Sequence, residues 1–252
     1  MLSSLSVAGL AILGLYFIAM SRIANRLAIS RQRWHLSSFT LGLLVALMVF
    51  VPSPDLFGPD HRFTVSMGQM LLAVDLAPLL LFSGIPATLL QPLKQRDALM
   101  RKLAMPQFVG LVSTIILFSW FVPALFEAAS RSLTVWILKQ VLFLIAGLFF
   151  WWPIAAPLPM YKPAYPIQLV YLFVMRLPMT ALGILFTFAN KLIYTARSFS
   201  LEICSPSSVS DQRAGGLVIW TIGGLIIVAI LSVAFFRWFN ANETEEVQET
   251  SS

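Results

Sequence analysis

The chain has 252 residues, 58% of them hydrophobic and only 11% charged, with a mean hydropathy of +0.84. A soluble domain carries about 25% charged residues, so this composition excludes one and describes a chain that crosses a bilayer several times. The net charge of +6 does not point to nucleic acid, because the basic residues fall mostly between hydrophobic runs, where they set topology, and a single cysteine excludes an internal disulfide.

Seven apolar runs of spanning length follow one another, at roughly 4–20, 36–52, 65–90, 106–127, 135–157, 166–190 and 214–237. The expected fold class is therefore all-α, a polytopic bundle of seven transmembrane helices in one domain over residues 1–239. The first run has no basic residues before it, whereas Arg22 and Arg26 follow it. That order is the reverse of a secretory signal and reads as a retained first span.

The third run is the most unusual. It begins with Ser66, Met67, Gln69 and Met70, carries Asp75 near its middle, and contains Pro78 and Pro86. An ionisable group at that depth faces other helices or a wet cavity, so this helix is expected inside the bundle.

Loop charges give the orientation. Arg22, Arg26, Arg31, Arg33, Lys94, Arg96, Arg101, Lys102, Lys162 and Arg237 fall on one side, against Arg62, Arg131, Lys191, Arg197 and Arg213 on the other. The excess marks the cytoplasmic side, which puts the N-terminus outside and the C-terminus inside. Residues 240–252, with four glutamates and no apolar cluster, read as a disordered acidic cytoplasmic tail.

In that orientation the polar and aromatic ends of the runs gather on the outer side: Ser66 to Met70, Trp120 to Pro123 with Glu127, Trp136 with Lys139, Asn190 with Lys191, and Asp211 to Gly216. At the inner side, Phe150, Trp151, Trp152 and Pro153 read as an interfacial belt with a helix break. Gly215, Gly216, Gly223 and Gly224 are spaced to let another helix approach. Asp75 is ten residues from the start of the third run and Arg176 ten from the start of the sixth, entered from the other side. At about 1.5 Å per residue both reach the midplane, where a pair would neutralise two costly charges. Two readings stay open for it: a packing bridge, or a polar step on a proton or ion path.

These residues carry a resemblance. Ala77-Pro78-Leu79-Leu80 through Gly84-Ile85-Pro86, then Phe149 to Ile154, then Asp211-Gln212 with Gly215-Gly216 and Trp220, resemble in order and spacing the CtaG-type cytochrome c oxidase assembly factors. The likeness covers roughly residues 63–220. It implies a multi-span bundle in the bacterial cytoplasmic membrane, a haem–copper oxidase subunit as membrane-embedded partner, and copper as the metal handled. The family pattern at the mouth of the third span is His-Met-x-x-His; this chain has Ser66-Met67-Gly68-Gln69-Met70. In the fourth span the pattern is Trp-His-x-Pro; this chain has Trp120-Phe121-Val122-Pro123. Met67, Trp120, Pro123, Asp211 and Gln212 match, and the three histidines are absent.

Copper(I) favours thioether and thiolate ligands. Met67 and Met70 are three residues apart and share a helix face, so with Cys204 and His61 they form the candidate copper(I) set, against the reading in which both methionines simply pack. Haem is not expected as a cofactor, because His35 and His61 both fall in loops. No nucleophile or clustered metal-ligand constellation suggests an enzyme. Two function classes fit the chain. One is an assembly factor acting by copper handling or by chaperoning an oxidase subunit at the outer face. The other is a small-solute or ion transporter using Asp75, Arg176 and Lys139.

Overall fold

The computed structural model describes residues 15, 18, 29–51, 59–89, 105–155, 162–194 and 206–250, and among these the secondary structure is entirely helical. Helix α1 spans Ile29–Met48 and α2 spans Arg62–Gly84. Two shorter helices follow, α3 at Pro106–Ser119 and α4 at Pro123–Arg131. Helices α5 (Leu133–Ala155) and α6 (Tyr165–Phe188) are long and unbroken. The last helix, α7, is assembled from Val209–Leu217, a π-helical turn Val218–Ile222, and Gly223–Thr250.

Four of these, α2, α5, α6 and α7, are long and apolar enough to cross a membrane, and the bent pair α3–α4 makes a fifth if taken as one span. The first expected run lies outside the described residues except for Leu15 and Ile18. The second appears as α1, which starts seven residues earlier than expected and so takes in Arg31, Arg33 and His35. His35 is thus helical rather than in a loop, and its Nδ1 lies 2.9 Å from the carbonyl oxygen of Ser83.

The fourth run departs from a straight span. Proline has no N–H and disfavours the helical conformation in the residue before it. Val122, preceding Pro123, is extended, and the axis turns by 64° between α3 and α4. In α6, Pro178 sits inside a continuous helix. At the other end of the chain, residues 240–250, expected in a disordered tail, continue α7 as helix. Neither glycine nor proline occurs between Leu225 and Thr250 to stop it.

Helix α2 is the hub, as its polar residues require. Of its apolar window 61% is buried, against 39%, 33% and 22% for α5, α6 and α7. Its last turns receive α1, with Gly84 against the backbone of Phe39 and Ser38 Oγ donating to the Leu80 carbonyl at 2.9 Å. Its middle receives α5. Pro78 has no N–H, so the Val74 carbonyl four residues earlier lacks its helical donor. The indole Nε1–H of Trp151 donates to that carbonyl at 3.0 Å, and a β-carbon at Gly147 would come within 2.5 Å of it. Trp151 is therefore buried against α2, and Phe150 against Tyr171 of α6, rather than forming the expected interfacial belt. Helices α3 and α5 are joined by Ser113 Oγ, which donates to the Ala146 carbonyl at 2.9 Å. Helices α6 and α7 meet through Gly183 and Gly216, beside the Trp220 Nε1–H to Thr187 Oγ1 bond of 3.1 Å.

Candidate functional site

Two polar centres stand out, one at mid-depth and one at the end of the bundle where α2 and α7 begin. At mid-depth, Arg176 of α6 donates from Nη1 to both carboxylate oxygens of Asp75 in α2, at 3.1 and 3.3 Å. Asp75 is wholly buried and Arg176 nearly so. Nη2 reaches the Ile219 carbonyl of α7 at 3.4 Å. Each partner lies in irregular helix: Asp75 within the π-helical turn Leu72–Leu76, Ile219 within Val218–Ile222. A π turn takes an extra residue into the ring and loosens the regular carbonyl ladder, which frees groups for side chains. Gly223 completes the socket, since a β-carbon there would overlap the guanidinium at Nη2. The centre thus ties α2, α6 and α7 together. The cavity beside it, bordered by Val74, Ser113 and Arg176, holds about 10 Å³.

At the end of the bundle, Asp211 organises the start of α2. The first N–H groups of a helix lack partners, and His61, at the N-cap, supplies no side-chain bond. The carboxylate of Asp211 takes that role from another helix. It accepts from the N–H of Phe63 and Thr64, both at 3.0 Å, and from Thr64 Oγ1 at 2.7 Å. The N–H and hydroxyl of Ser207 add bonds of 3.1 and 3.2 Å. A negative group there also complements the helix dipole. Gln212 holds the exit of α6: its Nε2 donates to the Lys191 carbonyl at 3.2 Å, and its Oε1 accepts from the Ile193 N–H at 2.8 Å.

Beneath this cap lies an aromatic core. Phe63 packs edge-on to Phe186 at 5.2 Å, Phe126 stacks on Tyr194 at 3.9 Å, and Tyr194 Oη donates to the Phe121 carbonyl at 2.6 Å. Met67 and Met70 are buried in the same core. Trp120 is buried there too, while Pro123 opens α4 and is exposed. His61 lies in the 3₁₀ turn before α2 and is exposed, and Cys204 lies outside the described residues. Among the described residues no group of three His, Cys, Asp or Glu side chains is placed to hold a metal ion. The soft donors at this mouth are the two thioethers of Met67 and Met70, buried among aromatic rings.

Three groups take roles that sequence reasoning did not give them. Gly223 was legible as a packing glycine, but its contact is a guanidinium rather than a helix backbone, and Gly224, expected to share that role, has no atom within 4 Å of an added β-carbon. Gln140 and Gln69 donate to the carbonyls of Val49 and Val51 at 2.6 and 2.5 Å, pinning the end of α1. Gln140 inside an apolar run was the available signal. Lys139, read as a path residue, is buried with its ammonium 5.8 Å from the centre of the Phe143 ring.

Comparison with known proteins identifies a family. The family model described as cytochrome c oxidase caa3 assembly factor aligns with residues 14–241. No curated protein and no solved structure matches the chain.

Proposed function

The chain belongs to the cytochrome c oxidase caa3 assembly-factor family, and from that premise we propose that it serves oxidase assembly by holding a membrane-embedded oxidase subunit rather than by coordinating copper. One observation carries this choice. The outer-mouth positions are committed to structure: Asp211 caps α2, Gln212 staples the exit of α6, and Met67 and Met70 fill an aromatic core. In this reading the mouth is a rigid frame beside which the partner subunit docks, in a bacterial cytoplasmic membrane, with the starts of α2 and α7 facing outward. The transporter alternative draws no support from the Asp75–Arg176 centre, whose adjoining cavity of about 10 Å³ is the size of one water and not of a solute.

The test pairs copper binding with oxidase maturation. The purified protein is titrated with copper(I) in detergent under reducing conditions, beside a Met67→Leu, Met70→Leu double variant. The same variant is returned to cells lacking the protein, and mature oxidase is measured by its haem spectrum and activity. The expected result is no stoichiometric copper in either protein and full maturation with the variant. Stoichiometric copper lost in the variant, together with failed maturation, would replace the holding role by copper handling.

A further inference from the structure

Far from both polar centres, at the opposite end of the bundle, a cavity of about 340 Å³ opens where the end of α5 and the start of α6 meet the middle of α7. Lys162, Tyr165 and Gln168 border it on one side, and Ile154, Ile230 and Ala234 on the other. Its depth follows from helix length. Ala234 lies 20 residues beyond Ala214, where the apolar run begins, about 30 Å at 1.5 Å per residue, against a hydrocarbon core of about 30 Å. The cavity is therefore level with the membrane–water boundary. The next turn of α7 agrees, with Phe235, Phe236, Trp238 and Phe239 clustered at ring spacings of 5.9 to 6.5 Å, as interfacial aromatic residues are.

We propose that this cavity binds the headgroup of an acidic phospholipid. The charge of Lys162 at the rim matches a phosphodiester, and the apolar wall of Ile154, Ile230 and Ala234 matches the glycerol and first acyl carbons. A basic residue between spans, beside an apolar floor at the boundary, attracts anionic lipid. Gln168 keeps the rim in place, its Nε2 donating to the Pro163 carbonyl at 2.7 Å. Ala164, at the N-cap of α6, makes no side-chain bond to the first N–H groups of that helix. The site depends on the membrane reading alone and not on the assembly role.

The experiment is native mass spectrometry of the full-length protein in mild detergent. Phosphatidylglycerol and phosphatidylcholine of identical chains are added in equal amounts. Phosphatidylglycerol is expected to be retained about fivefold better, the size of one lysine acting on an anionic lipid. Lys162→Glu should abolish that preference, whereas Lys191→Glu, an exposed change at the other end, should leave it intact. Ala234→Leu, which narrows the cavity from α7, should give the same loss and stands in if Lys162→Glu does not fold. Equal retention of the two lipids, or a preference surviving both cavity variants, overturns the proposal. Displacement of phosphatidylglycerol by inorganic phosphate at equal concentration would overturn the lipid in favour of a free-phosphate site.

Discussion

Asp75 and Asp211 are both buried carboxylates on helices that meet at α2, yet they are held in opposite ways. Asp75 sits at mid-depth against a single cation, and its charge is answered by charge. Asp211 sits at a helix start and is answered by backbone N–H groups and hydroxyls, five donors from three residues. The first arrangement fails all at once when its partner is removed. The second degrades by increments, and water at the helix ends can replace part of it.

That contrast sets the largest expected effect. Arg176→Leu leaves Asp75 as an uncompensated buried carboxylate, which costs about 3–5 kcal/mol. Detergent melting of the variant should fall accordingly. Replacing both partners, Asp75→Leu with Arg176→Leu, should recover most of the loss, since a well-packed apolar pair is often neutral relative to a buried ion pair. A double variant as unstable as the single one would show that the pair does more than neutralise itself, for example by holding the π turns at Leu72–Leu76 and Val218–Ile222.

Asp211→Ala comes next. It strands the N–H groups of Phe63 and Thr64 at the start of α2. Buried donors left without a partner cost about 1–3 kcal/mol, so a loss of about 2–3 kcal/mol is expected, less than at Arg176. Asp211→Asn keeps an acceptor oxygen and should fall between wild type and alanine. Equal melting of the Asp211→Ala and Arg176→Leu variants would erase the distinction between the two regions.

How much of this was legible follows the same division. Depth along a helix is arithmetic, so the ten-residue offsets of Asp75 and Arg176 put the two at one level from residue order alone. The π turns left no trace in residue type, and without them neither the Ile219 carbonyl nor the fit of Gly223 could be anticipated. Asp211 and Gln212 were marked as the polar entry of the seventh run and by the family motif, but not by their role. Their partners, the N–H groups of Phe63, Thr64 and Ile193, are main-chain atoms, which carry no residue identity to read. Trp151 was misread because an aromatic residue near a span end resembles a belt residue; its real partner, the Val74 carbonyl, is exposed by Pro78 on another helix.

Gly223→Ala sharpens the midplane half of the comparison at smaller cost. The added methyl overlaps the Arg176 guanidinium, whose long side chain can shift but only by loosening its bond to Asp75 or Ile219. Overpacking of this kind costs about 1–3 kcal/mol. Gly224→Ala, one residue on, meets nothing within 4 Å and is expected to melt like wild type. If the two alanines behave alike, the socket is not a fitted one.

The smallest effect is expected where the family resemblance pointed most directly to chemistry. Met67 and Met70 are buried among Phe63, Trp120, Phe126 and Phe186. Leucine conserves their volume, and such swaps cost less than about 1.5 kcal/mol each. A copper(I) centre at the same place would lose both thioether ligands in the same variant, a loss no packing argument could make small. The Met67→Leu, Met70→Leu protein therefore discriminates with a single preparation. Near-native melting with unchanged oxidase maturation means the mouth where α2 begins is frame, built by the same principle of close packing as the rest of α2. Near-native melting with maturation abolished would instead mean that the sulfur atoms themselves are used, and that the aromatic core is the wall of a metal site.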